Sequence, residues 1–119
     1  MELSQWFRVR FDEHGVYRNV APPDKAPWSD QFAWSDVVRV CFEARDFLES
    51  DSLYIFVRHR PESYAIPMEA EGGQALLDEL IRRKLFDAEL AIRAATTPEG
   101  LFCWPEREPE PPRQAQGAA

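Results

Sequence analysis

Histidine and cysteine are both scarce, with two of each in 119 residues. His14 and His59 lie far apart, and Cys41 and Cys103 stand singly, with no Cys-x-x-Cys and no His-x-x-x-His. Zinc sites are built on such spacings, so neither a metal nor any other cofactor is expected. Two cysteines are too few for a secreted disulfide scaffold. Both thiols are expected to be reduced, with a single structural bridge as the alternative. No apolar run approaches the ~20 residues that a membrane helix needs. The N-terminal MELSQWFRVRF has no apolar core of a signal peptide, which points to a cytoplasmic protein. Basic charge is also short: 14 Lys and Arg against 21 Asp and Glu leave a net charge of −7. That excludes general nucleic-acid binding, which needs a basic surface to neutralise phosphates, and disfavours an anionic membrane surface. No Gly-x-Ser-x-Gly elbow and no phosphate-cradling glycine loop occurs.

What is present is the composition of a folded domain, 45% hydrophobic and 13% aromatic. Trp6–Phe11 alternates, with Phe7, Val9 and Phe11 on one side and Trp6, Arg8 and Arg10 on the other. That is the period of a half-buried strand. Asp12-Glu13-His14-Gly15 is turn chemistry, with a glycine able to take a positive φ, and Val16–Val20 reads as the return strand of a hairpin. The segment 21–30, APPDKAPWSD, holds three prolines in ten residues and is expected to be an exposed loop.

The block from Phe32 to Arg60 carries two further strands. In Val37–Glu43, alternation sets Val38, Val40 and Phe42 against Val37, Arg39 and Cys41. In Leu53–Arg60 it sets Leu53, Ile55, Val57 and His59 against Tyr54, Phe56, Arg58 and Arg60. Tyr64–Met68 is a short strand broken by Pro67, and therefore one that stops early or lies at an edge. The period then changes from 2 to 3.6. Gly72-Gly73 opens a helix with Leu76, Leu77, Leu80 and Ile81 as its stripe, closed by Arg82-Arg83-Lys84 at the negative end of the helix dipole. Asp87 can cap a second helix, Ala88–Ala95, and Leu101–Trp104 reads as a last strand. The final segment 105–119 has four prolines and no large apolar residue, so a disordered tail is expected after a single domain spanning residues 1–104.

Few side chains point to chemistry. Cys41 and His59 are the one pair that could serve a small enzyme or ligand-binding protein, if the two strands form a hairpin. A reactive thiol needs an electropositive, partly exposed niche, which Arg39 could supply, whereas an ordinary cysteine simply fills a core. The acidic groups Asp46, Glu49 and Asp51, and Glu69 with Glu71, lack the alternation of a calcium loop and read as a solvated rim. The arginines that alternate with aromatics are more informative. Arg39, Tyr54, Phe56, Arg58 and Arg60, together with Trp28 in its loop, are the residue types that dominate protein–protein contacts. The competing reading is an ordinary solvent face whose long stems cover apolar surface.

Taken in order, several short motifs form a pattern: Phe11-Asp12, Trp34-Ser35-Asp36-Val37, Asp51 with Leu53–Val57, and Ile66-Pro67. It continues through Gly72, Leu76-Leu77-Asp78-Glu79-Leu80, Leu85-Phe86-Asp87 and Phe102-Cys103-Trp104. Over residues 6–104 the chain resembles a group of small uncharacterised bacterial proteins, mostly proteobacterial. It departs from them in the proline-rich loop 21–30 and in Arg82-Arg83-Lys84. The resemblance implies a compact α+β fold in the bacterial cytoplasm and transfers no catalytic residue.

The expected fold is therefore α+β: an antiparallel sheet of about five strands with two helices packed on one face, leaving the other face half open. A pleckstrin-homology-like barrel is the alternative. The expected function is a non-catalytic protein-binding domain, regulatory or toxin-neutralising, whose partner is a protein, with a basic one favoured by the negative net charge. The alternatives are the Cys41–His59 enzyme and a protein that self-associates, as a homodimer, through the open face or the edge at Tyr64–Met68.

Overall fold

The structure is a computed structural model and describes residues 2–45 and 50–106. Seven strands and two helices follow the order β1 (Phe7–Phe11), β2 (Gly15–Val20), β3 (Trp28–Ala33), β4 (Val37–Ala44), β5 (Ser52–Val57), β6 (Tyr64–Pro67), α1 (Gly73–Arg82), α2 (Ala88–Ala95) and β7 (Gly100–Trp104). The class is α+β with antiparallel strands, but the expected single sheet is two: β1-β2-β3, and β6-β5-β4-β7.

The first sheet begins at a tight turn. Asp12 Oδ1 accepts the N–H groups of His14 and Gly15 at 2.9 and 3.1 Å, and Phe11 then pairs with Val16. Gly15 is needed here for closeness rather than for a positive φ. A Cβ on it would sit 2.1 Å from the carbonyl oxygen of Phe32 on β3. The proline-rich segment is shorter than expected. It ends at Pro27, and Trp28 to Asp30 join β3, with Trp28 paired to Val20 and Asp30 to Arg18. Prolines forbid a ladder only where they stand, and none lies beyond Pro27 before β4.

In the second sheet β4 and β5 are central. A bulge between Val37 and Arg39 turns Val37 inward against the core, so Val37 does not share a face with Arg39 and Cys41. β5 stops at Val57, short of the expected Arg60; Arg58 and His59 form a turn, with His59 at φ 69°. Both helices lie where the sequence places them. Gly72 precedes α1 at φ 90°, and a Cβ on it would meet Val9 O at 2.1 Å, so two constraints select glycine there. Asp87 caps α2 by accepting the N–H of Leu90 at 3.0 Å.

One core joins both sheets and both helices. Val9, Val16, Phe32 and Trp34 from the first half meet Val40, Phe42, Leu53, Ile55 and Ile66 from the second sheet. Leu76, Leu80, Phe86, Leu90 and Ala94 close it from the helices. The sheets are also pinned by a buried arginine. Arg18 is 8% exposed; its Nε and Nη2 grip Asp30 at 2.8 and 2.6 Å, and Nη1 donates to Ala65 O on β6 at 2.9 Å. The rings of Trp28 and Tyr64 lie 4.9 and 5.0 Å from its guanidinium carbon. Every face of this cation is thereby compensated, which is the condition for burying one.

Candidate functional site

All the core-facing residues of the second sheet sit on the side that carries the helices. The other face follows from the register. Cys41 is paired with Tyr54 and Cys103, Arg39 with Phe56, Glu43 with Ser52 and Leu101, and Tyr54 with Ala65. Arg39, Cys41, Tyr54, Phe56, Leu101 and Cys103 therefore share one outer face. Pro105 and Glu106 approach it through Arg39, and Leu90 and Arg93 of α2 border it along β7. Tyr54 and Phe56 are half-buried in it, and Leu101 is 62% exposed.

Polar groups hold this face in shape. Tyr54 donates its hydroxyl to Glu43 Oε1 at 2.8 Å, and Arg45 reaches the same oxygen at 3.5 Å. The hydrogen bond to the Glu43 carboxylate, with partial burial, pushes the Tyr54 phenol above its ordinary value, so it stays protonated well past neutrality. Arg39 donates from Nε to Pro105 O at 3.2 Å and from Nη2 to Glu106 O at 3.0 Å, which fixes where the chain leaves the sheet. The expected disordered tail otherwise lies outside the described residues.

The six residues singled out from the sequence do not form one patch. Arg39, Tyr54 and Phe56 come together on the outer face. Arg58 lies beyond the end of β5, donating to Ser35 O at 3.0 Å and facing Asp36 at 3.6 Å. Arg60 stacks its guanidinium 3.8 Å from the Tyr64 ring centre and faces Glu62 at 3.7 Å. Trp28, 44% exposed, covers Arg18. Arg60 and Trp28 thus belong to the aromatic and arginine cluster around Tyr64 that braces the two sheets.

The Cys41–His59 pair is overturned. Cys41 and Cys103 form a disulfide, so the expected reduced thiols are absent and no nucleophilic sulfur exists. Cys41 lies opposite Tyr54, while His59 lies beyond Val57, which is paired with the first residue of β4. The two side chains belong to different ends of the hairpin. The single bridge that the sequence left as the alternative is the arrangement formed; a separation of 62 residues carries no local signal, and only the β4–β7 register sets the two Cα atoms 4.0 Å apart. Of the acidic clusters, Asp46 and Glu49 lie outside the described residues. Asp51 accepts the Arg45 N–H at 2.9 Å, and Glu71 pairs with Arg8 at 2.9 Å. Among the described residues no group of three His, Cys, Asp or Glu is placed to hold a metal. No helix among them is long and apolar enough to cross a membrane.

A cavity of about 590 Å³ opens between α1 and α2, lined by Met68, Leu77, Ile81, Phe86, Ala91 and Ile92 among others. Neither Cys41 nor His59 reaches it. Its polar lining is Asp51, Gln74 and Asp78, without a base–nucleophile pair. Compared with protein-family models, with curated proteins and with solved structures, the chain matches none, so its reading rests on this geometry.

Proposed function

We propose that this chain is a non-catalytic protein-binding domain that receives its partner on the outer face of the four-stranded sheet. The observation that carries the reading is the asymmetry of that sheet. The helices cover one face, and the other presents half-buried Tyr54 and Phe56 and exposed Leu101 around a bridge whose Cys41 is buried. Aromatic rings on a rigid sheet give contact area at low entropic cost, and Arg39 and Glu43 supply a polar rim. The net charge of −7 favours a basic protein by long-range steering, as a regulatory or toxin-neutralising domain would use. The order of short motifs, which resembles that of small bacterial proteins, supports a bacterial setting. A cytoplasmic location requires the bridge to withstand thiol reduction, whereas an oxidising compartment preserves it unaided.

The test is affinity capture from lysate at low and moderate salt, comparing wild type with Phe56→Lys and Tyr54→Ala. A protein retained by wild type, released by salt and lost by both variants supports the reading. The same proteins recovered with all three baits, or none recovered by wild type, refutes it.

A further inference from the structure

Each sheet edge offers unpaired backbone groups unless something closes it. Three of the four edges here are engaged. Along β1, Glu71 donates its N–H to Phe7 O at 2.9 Å, and Val9 donates to Glu71 O at 2.8 Å. Along β6, Ala65 O accepts from Arg18 at 2.9 Å, and Pro67 has no N–H to offer, so the edge at Tyr64–Met68 is unsuited to pairing. β3 faces β6, with the Tyr64 hydroxyl 3.5 Å from Gln31 O.

β7 is different. At Cys41 and Cys103 the Cα atoms are 4.0 Å apart, the narrow spacing of a non-hydrogen-bonded antiparallel pair. The alternation then assigns the N–H and C=O of Phe102 and Trp104 to β4, and points those of Leu101 and Cys103 away from the sheet. Among the described residues nothing donates to or accepts from these outward groups. The same alternation carried across the sheet makes Ala65 C=O point outward from β6, where Arg18 does find it. The strand Gly-Leu-Phe-Cys-Trp itself has no charge, no proline and no bulge, the devices that normally protect an edge; Arg93 of α2 and Glu106 flank it with charges of opposite sign. Arg39 holds Pro105 O and Glu106 O, and neither residue takes a backbone group of Leu101 or Cys103.

We propose that β7 is a homodimer edge, on which a second copy of the chain lays its own β7 antiparallel about a two-fold axis at Phe102. A two-fold contact requires a surface that complements itself, and this one does. The axis sets Leu101 opposite Cys103 of the partner subunit and the reverse, each a wide pair exchanging two backbone hydrogen bonds. Phe102 meets its own copy across the narrow pair between them. Leu101, 62% exposed in the single chain, is covered. No like charges on the two strands oppose one another, although each chain carries −7. The contact joins two four-stranded sheets into one continuous sheet. It uses the backbone edge; it shares Leu101 with the outer face but leaves Tyr54 and Phe56, which test the partner proposed for that face, outside the contact.

The experiment is light scattering and sedimentation of the full chain from micromolar to submillimolar concentration, with amide exchange by NMR. The expected result is a reversible species of twice the 13.8 kDa chain mass. The amides of Leu101 and Cys103 become protected only as that species forms, while Phe102 is protected throughout. Leu101→Pro removes an outward N–H that the β4 ladder does not use, and should weaken the dimer by about tenfold or more. Leu101→Lys keeps the backbone and adds charge to the edge; it should weaken the dimer too, and it decides the matter if the proline variant misfolds. A chain that stays monomeric at every concentration overturns the proposal. So does a dimer indifferent to Leu101→Lys, or one in which the Leu101 and Cys103 amides stay unprotected.

Discussion

Opening the Cys41–Cys103 bridge should cost this domain a large part of its stability. The bridge ties residues 62 apart in sequence, a loop that contains β5, β6 and both helices. In the chain-entropy account a loop of that length stabilises the fold by about 4 kcal/mol, because the unfolded chain loses that much conformational freedom when closed. Domains of this kind are stable by roughly 5–15 kcal/mol in total, so the effect is a substantial fraction. The native contacts change little, since Cys41 and Cys103 remain opposed in the β4–β7 ladder when reduced. The assay is equilibrium unfolding in urea followed by tryptophan fluorescence, for oxidised protein, reduced protein and Cys41→Ala/Cys103→Ala. With a denaturant slope of about 1–3 kcal/mol/M, the midpoint should fall by roughly 1.5 M or more in both the reduced and the substituted protein. A loss below about 1 kcal/mol would refute the reasoning, as it would mean that the closed loop adds little beyond the ladder itself. Two readily titratable thiols in native protein purified without reductant would refute the bridge.

Other consequences follow from single residues. Arg18→Ala leaves Asp30 partly buried without its partner and should destabilise by about 3 kcal/mol in the same urea assay; a loss under about 1 kcal/mol would show that Arg18 does not brace the sheets. Gly15→Ala places a methyl group 2.1 Å from Phe32 O, so β2 and β3 must part, at a cost of about 3 kcal/mol in thermal or urea unfolding; a neutral substitution would refute the close approach. Asp12 is held below its ordinary value of 3.8, chiefly by the His14 N–H and then by the Tyr17 hydroxyl and Gly15 N–H. A depressed carboxylate stabilises fully above the unfolded value, and that contribution is lost as pH falls through the lower folded value. Asp12→Asn should therefore melt below wild type at neutral pH, with a gap that narrows as pH falls below about 4. A gap that stays constant with pH would refute this account. Tyr54 works in the opposite sense: its raised value makes its contribution complete below pH about 10 and lost above it. Tyr54→Phe should therefore flatten the alkaline fall in melting temperature; an unchanged alkaline limb would count against the Glu43 contact.

The sequence by itself determined the elements whose cause is local. Period 2 in Phe7–Phe11 and in Leu53–Val57, the leucine stripe of α1 and the Asp87 cap depend on neighbours a few residues away, and all of them stand in the structure. It also set the outer-face positions of Arg39, Tyr54 and Phe56, because alternation holds wherever a ladder is regular. Where regularity breaks, the sequence misleads. The bulge moves Val37 to the core side, and Arg58 and Arg60 leave the strand for a turn and a stack on Tyr64. The tertiary structure alone decided what depends on distant partners. It divided the strands into two sheets and recruited Trp28 into β3 because β2 offered a free side. It buried Arg18 where Asp30 and Ala65 O compensate its charge, and it set Cys41 beside Cys103. The open edge of β7 belongs to the same class, since no run of residues records which of its backbone groups a neighbouring strand has already taken.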